Sequence, residues 1–185
     1  MKTLFSALAR YNRAMNAQMM LGCDGLSDGS RKEDCGAWFR SVHGTWNHIL
    51  VADKLWMGRF TATPFSVPSL DFELHASWSS LKRERALCDD EIVKWTDALP
   101  AERLGEVLEF TAMSRPGLHR LPMWLALSHF FNHQTHHRGQ ITTLMNQLGV
   151  DSGATDLPFF EEVTEFAWAH GLAEQDLRRA GANGP

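Results

Sequence analysis

The chain has 185 residues, of which 44% are apolar and 22% charged, enough to bury a core without staples and far from a disordered composition. Its formal net charge of -4 offers no electrostatic footprint for a phosphate backbone, which argues against a nucleic-acid partner. Three cysteines, Cys23, Cys35 and Cys88, form no CxxC pair and cannot all be bridged within one chain, so a reduced, cytoplasmic protein with buried thiols is expected.

The chain opens on "MKTLFSALAR", whose apolar run is too short for a secretory core and continues directly into a helical pattern. Leu4, Leu8, Tyr11, Met15, Met19 and Leu21 recur at helical spacing and predict an amphipathic helix over 3–21. "GCDGLSDGSRKEDCG" follows as a loop. A second helix is predicted over 37–60, with Trp38, Val42, Trp46, Ile49, Leu50, Leu55 and Trp56 as its apolar stripe. The proline-containing "TATPFSVPSLDFEL" cannot be crossed by an intact helix. A third helix is predicted over 76–99 and stopped by Pro100. The mixed charges of "SSLKRERALCDDEIVKWTDAL" read there as a solvated face with (i, i+4) support.

"EVLEFTAM" alternates like a strand and "SRPG" is a turn, so a short hairpin precedes the fourth helix. That helix starts near Pro122, runs through Leu148 and is closed by Gly149. One or two short helices follow the loop "VDSGATDLP", and residues 178–185 are expected to fray. The reading is an all-α chain forming a single domain over 1–185. Its four long helices suggest an antiparallel bundle, in which sites form from inward side chains on facing helices. No segment approaches the length of a membrane span.

The most informative stretch is "SHFFNHQTHHRGQ", which holds His129, His133, His136 and His137. At about 100° per residue, positions four apart share a helix face, so His129, His133 and His137 form one ladder with His136 to the side. Two imidazoles spaced this way can reach one metal ion, as in the HExxH motif, but "HQTHH" lacks that motif's glutamate. A metalloprotease is therefore not supported. No Glu-x-x-His occurs either, which removes a ferritin-like di-iron site. A divalent ion with an open position usually takes three protein ligands. His48 lies mid-helix in "TWNHILVADKLW", whereas His43 falls about 140° away around the helix and His75 and His119 fall in connectors. Spacing thus favours His48, His133 and His137 over a set that includes His129.

These residues carry a resemblance. "HGTWNHILVADKLWMGRF" with "LSHFFNHQTHHRGQITTLMNQLG" resembles the DinB/YfiT-like family of metal-binding proteins, and "ARYNRAMNAQMM" and "GVDSGATDLP" extend the likeness over nearly the whole chain. The resemblance implies an up-and-down four-helix bundle of distinctive connection order, often a homodimer. It also implies a divalent ion, usually nickel or zinc, held by three histidines that match His48, His133 and His137. His129 and His136 are then neighbours. Better-understood relatives use the metal with a low-molecular-weight thiol in transfer or isomerisation, and DNA binding is not implied.

Three neutral imidazoles leave a coordination position open for a substrate thiolate or water, either of which a divalent ion turns into a nucleophile near neutral pH. The leading expectation is a metal-dependent transferase that activates a small thiol toward an electrophile. The alternatives are a metal-dependent hydrolase and a non-catalytic metal-binding or stress-response protein. Asn47, Asp53 and Asn132 are candidates to orient the ligands, with a helix-surface salt bridge as the competing role for Asp53. Arg138 is a candidate for gripping an anionic substrate, with a structural ion pair as the competing role. Gly139, costly in mid-helix, is expected to allow a close helix approach. Trp46 and Trp56 are expected in the core, with a pocket wall as their second role.

Overall fold

The structure is a computed structural model, which describes residues 1–171. The expected fraying of 178–185 lies outside the described residues. Helix α1 spans Lys2–Cys23, α2 Asp28–Lys32, α3 Val42–Phe60, α4 Trp78–Ala98, α5 Met123–Gln147 and α6 Glu161–Gly171. Strands β1 (Val107–Thr111) and β2 (Leu118–Pro122) form the predicted antiparallel hairpin, with Glu109 opposite Arg120 and Phe110 opposite His119. His119 therefore sits in a strand rather than a connector. Short 3-10 turns at Ala101–Gly105 and Leu157–Phe159 complete the order. No described helix is long and apolar enough to cross a membrane.

Local chemistry sets the helix ends. Ser41 accepts a hydrogen bond from Gly44 N at 3.0 Å and caps α3, so this helix starts at Val42, five residues later than its apolar run suggests. Trp38 consequently lies outside the helix and is 85% exposed. Ser27 and Ser77 cap α2 and α4 in the same way. Past α5, Gly149 adopts φ 75°, with Val150 N on Met145 O and Gly149 N on Asn146 O. This is the glycine-closed end that the sequence predicts.

The four long helices form a ring in which α1 and α3 each pack against both α4 and α5. Arg10 meets Asp97 and Asp24 meets Lys82, so α1 and α4 run antiparallel. His48 meets His137 and Trp56 meets His129, so α3 and α5 also run antiparallel. By contrast, Asn12 pairs with Arg138 and Phe5 with Phe131, which makes α1 and α5 parallel. Asp53 pairs with Arg85 and Phe60 with Trp95, which makes α3 and α4 parallel too. The directions are up, down, down, up. The long 61–77 connector returns the chain to the start of α4, as parallel neighbours require.

The core is aromatic and methionine-rich, built on Trp46, Phe60, Phe130, Met15, Met19 and Ile49. The inward stripe of α1 runs through Phe5, Ala9, Asn12, Met15, Asn16 and Met19, while Leu4 and Leu21 face outward. The two buried asparagines belong to a polar network. Asn16 donates to Asp89 at 2.9 Å, Arg85 Nε donates to Asp89 at 3.2 Å, and Arg85 Nη1 donates to Asp53 at 2.5 Å. Arg138 donates to Asn12 and Asn16. The charged run of α4 is thus not wholly a solvated face, because Arg85 and Asp89 point inward. A buried guanidinium is tolerated there because carboxylates on two helices meet it. Cys23 and Cys88 are buried, and burial pushes their thiols up to about 11 and about 12, so both are fillers.

Candidate metal centre

His48 sits near the start of α3, and His133 and His137 occupy successive turns of α5. Because α3 and α5 pack antiparallel, the three rings meet in the upper part of the bundle. His48 Nε2 lies 3.2 Å from His137 Nε2, which lies 3.1 Å from His133 Nε2. One ligand atom from each residue falls within 4.8 Å of the others, an arrangement that could hold a metal ion.

Hydrogen bonds on the opposite ring edges fix two tautomers. His48 Nδ1 donates to the carbonyl of Leu70 at 2.8 Å, and a carbonyl can only accept. His137 Nδ1 donates to Gln140 Oε1 at 2.7 Å. Both rings therefore aim an Nε2 lone pair into the same space. A proton does not relieve that crowding at neutral pH. Burial lowers the His48 pKa, burial with its histidine neighbours holds His133 at about 3, and burial against the opposing pull of Gln140 leaves His137 at about 4. Two nitrogens each 2.0–2.1 Å from one zinc ion stand about 3.3 Å apart at a tetrahedral angle. The 3.2 and 3.1 Å spacings about His137 fit that demand. Deprotonated, convergent imidazoles are the form in which histidine binds metal.

Phe39 completes the surroundings and was not apparent from the sequence. Its ring stacks on His48 at 3.7 Å between centroids, 13° from parallel, and lies edge-on to His137 at 5.5 Å. It sits in a tight turn, Ala37 to Arg40, closed by Arg40 N on Ala37 O and Cys35 N on Arg40 O. Arg40 adopts φ 66°, a left-handed conformation that a non-glycine residue holds at a cost. A Cβ on Gly44 would stand 2.2 Å from the Phe39 carbonyl, so only glycine at 44 lets this turn lie against α3. Phe39, His43, Asn47 and Asp71 line a cleft of about 570 Å³, to which the three metal-competent histidines do not contribute.

The remaining candidates separate. Asn47 donates to the carbonyls of His43 and His75 and accepts from His75 N, which pins the connector whose Leu70 holds His48. It supports the cluster from one step away. Asp53 does not orient a ligand: five residues beyond His48, it faces α4 and pairs with Arg85. Arg138 is turned about 100° from His137 toward α1, where it is buried against Asn12 and Asn16, so it is not placed to grip a substrate. Asn132 is exposed and makes no side-chain hydrogen bond among the described residues. Gly139 is also exposed and a Cβ there would meet nothing within 4 Å, so no close helix approach explains it. His129 and His136 flank the cluster, with ring centroids 5.8 Å from His133 and 4.8 Å from His137 respectively. Trp46 is core, and Trp56 is core on one side while touching the His129 ring on the other.

The sequence model of the DinB family matches residues 1–176. The chain belongs to the DinB family. Among solved structures, a DinB-like protein from Bacillus cereus ATCC 10987 is similar at a TM-score of 0.59 and 24% identity, over 78% of this chain and 90% of that one. At that identity the likeness concerns the fold. No curated protein matches the chain significantly.

Proposed function

We propose that this DinB protein holds a divalent ion, nickel or zinc, through His48, His133 and His137, and uses it to activate a small thiol for transfer to an electrophile. The observation that carries the proposal is the convergence of three neutral imidazole nitrogens, two with their tautomers fixed. Imidazole donors suit both ions. Three uncharged donors leave the charge of a divalent ion uncompensated, which favours an anionic fourth partner such as a thiolate. When bound, the ion supplies a lowered pKa to a thiol or water beside it.

The chain's own residues orient and shield. The Leu70 carbonyl and Gln140 hold the His48 and His137 rings, Asn47 anchors the connector behind them, and Phe39 covers the face of His48. In this proposal the partners are small molecules and a second copy of the chain; the acidic net charge disfavours nucleic acid.

The test is to load the protein with zinc or nickel, add glutathione and 1-chloro-2,4-dinitrobenzene, and follow conjugation beside a His137→Ala control. Metal-dependent conjugation, lost in the control, is the expected result. Metal-dependent cleavage of p-nitrophenyl acetate without any thiol response would replace transfer by hydrolysis. Metal binding with neither activity would leave only a binding role.

A further inference from the structure

A second cavity lies at the opposite end of α3, away from the histidines. It measures about 560 Å³, within the range of small-molecule sites, and is an open pocket bordered by the end of α3, the start of the connector and the β-hairpin. Leu55, Phe65, Val67, Phe110 and Met113 give it apolar walls. Gly58 is required there, since a Cβ would stand 2.7 Å from the Thr63 carbonyl where the connector crosses. The lining includes Ala62, which holds φ 57°, one of two non-glycine residues with positive φ among the described residues.

Arg59 lines this pocket and is half-buried. Its guanidinium lies over Trp56 at 4.4 Å and over Phe110 at 4.8 Å from their ring centroids, which fixes its plane. It donates one hydrogen bond, from Nη2 to the Thr111 carbonyl at 3.0 Å. Among the described residues no carboxylate pairs with it, and burial lowers its pKa without compensation. Nor is it needed as a helix cap. Its guanidinium donates to the hairpin rather than to α3, whose Met57 and Gly58 carbonyls accept from Thr61 and Thr63. The one acidic residue in the lining, Glu109, is engaged by Arg120 across the hairpin at 2.6 Å. The pocket therefore combines apolar walls with polar lining, and its one cation, Arg59, is pre-oriented and has no carboxylate partner among the described residues.

The geometry points to a binding site for a small carboxylic acid with an apolar or aromatic body, its carboxylate on the fork of Arg59 and its body between Phe65, Phe110 and Met113. A carboxylate matches the fork with two parallel hydrogen bonds. A doubly charged phosphate would need a second cation, which the lining lacks. The site stands on its own geometry, independent of metal binding. A connection to the histidines exists all the same, because Trp56 touches both Arg59 and the ring of His129, the neighbour of His133.

The experiment is calorimetric titration of the full chain with 4-phenylbutyrate and, separately, with 4-phenylbutyramide, which differs only in lacking the charge. Saturable one-to-one binding of the acid, about tenfold tighter than the amide, is expected from the charge-assisted pair. Arg59→Met abolishes the preference, while Val67→Trp, which fills the cavity, removes binding of both. His133→Ala leaves acid binding unchanged. Equal affinity for acid and amide in the wild type, or no saturable heat for either, would overturn the assignment without reference to any variant. Loss of acid binding in His133→Ala would place the carboxylate at the histidines and overturn it as well.

Discussion

Replacing Arg85 by methionine tests the polar network that ties α1, α3, α4 and α5 together. Arg85, Asp53 and Asp89 each expose at most 3% of their surface, so the substitution strands two carboxylates where water cannot reach them. Breaking a buried pair from one side costs about 3–5 kcal/mol. For a chain of this size each kcal/mol moves the melting temperature by about 2–4 °C, so the variant should melt about 6–20 °C lower. The loss depends on pH. Burial already pushes the Asp53 and Asp89 carboxyls above their usual range, with Arg85 pulling both back down. A carboxyl whose folded pKa lies above its unfolded value of about 3.9 favours the fold at low pH, and that favour is lost as pH rises through the folded value. Without Arg85 both values climb further. Melting followed by circular dichroism at pH 5 and pH 8 should therefore show the larger deficit at pH 8. A deficit below about 1 kcal/mol, well under the usual cost of breaking a buried pair, or one equal at both pH values, would refute the reasoning.

Gln140→Ala removes the acceptor that fixes the His137 ring and should weaken zinc affinity by about 10–100-fold, the usual cost of losing such a partner. Competition titration against a chromophoric chelator checks it. Gly139→Ala should stabilise the protein by about 1 kcal/mol, since its exposed mid-helix position admits a Cβ freely; an unchanged or lower melting temperature would contradict this. In metal-free protein the folded pKa values of His48, His133 and His137 lie below the unfolded value of about 6.5. Their contribution is complete above that pH and is lost as pH falls toward the folded values of about 4 and about 3 for His137 and His133. Acid melting curves should be less steep for His133→Gln than for the wild type.

The α5 histidines were legible because an (i, i+4) pair on one helix face needs nothing but the helix. His48 was legible in part: its mid-helix setting among core-like residues favoured it over the other histidines, and the family motif agreed. Phe39 was not, because a turn residue has no periodicity and Arg40 gives no warning of a left-handed backbone. The hairpin and the Gly149 helix end followed from alternation and turn chemistry. The buried network was missed for a definite reason. Arg85 and Asp89 are spaced like a surface pair, and only the packing of Asp53 and Asn16 against them turns that spacing inward. Asp53 and Arg138 were drawn toward the site by closeness in sequence, whereas a rotation of about 100–140° around their helices directs them elsewhere.

The central claim, that three histidines hold an ion, is tested most directly by elemental analysis of tag-free protein purified without added metal, for the wild type and five single variants. The account predicts near-stoichiometric nickel or zinc in the wild type, retained by His129→Ala and His136→Ala and lost from His48→Ala, His133→Ala and His137→Ala. A wild type that carries no metal and takes up neither ion on titration would contradict it.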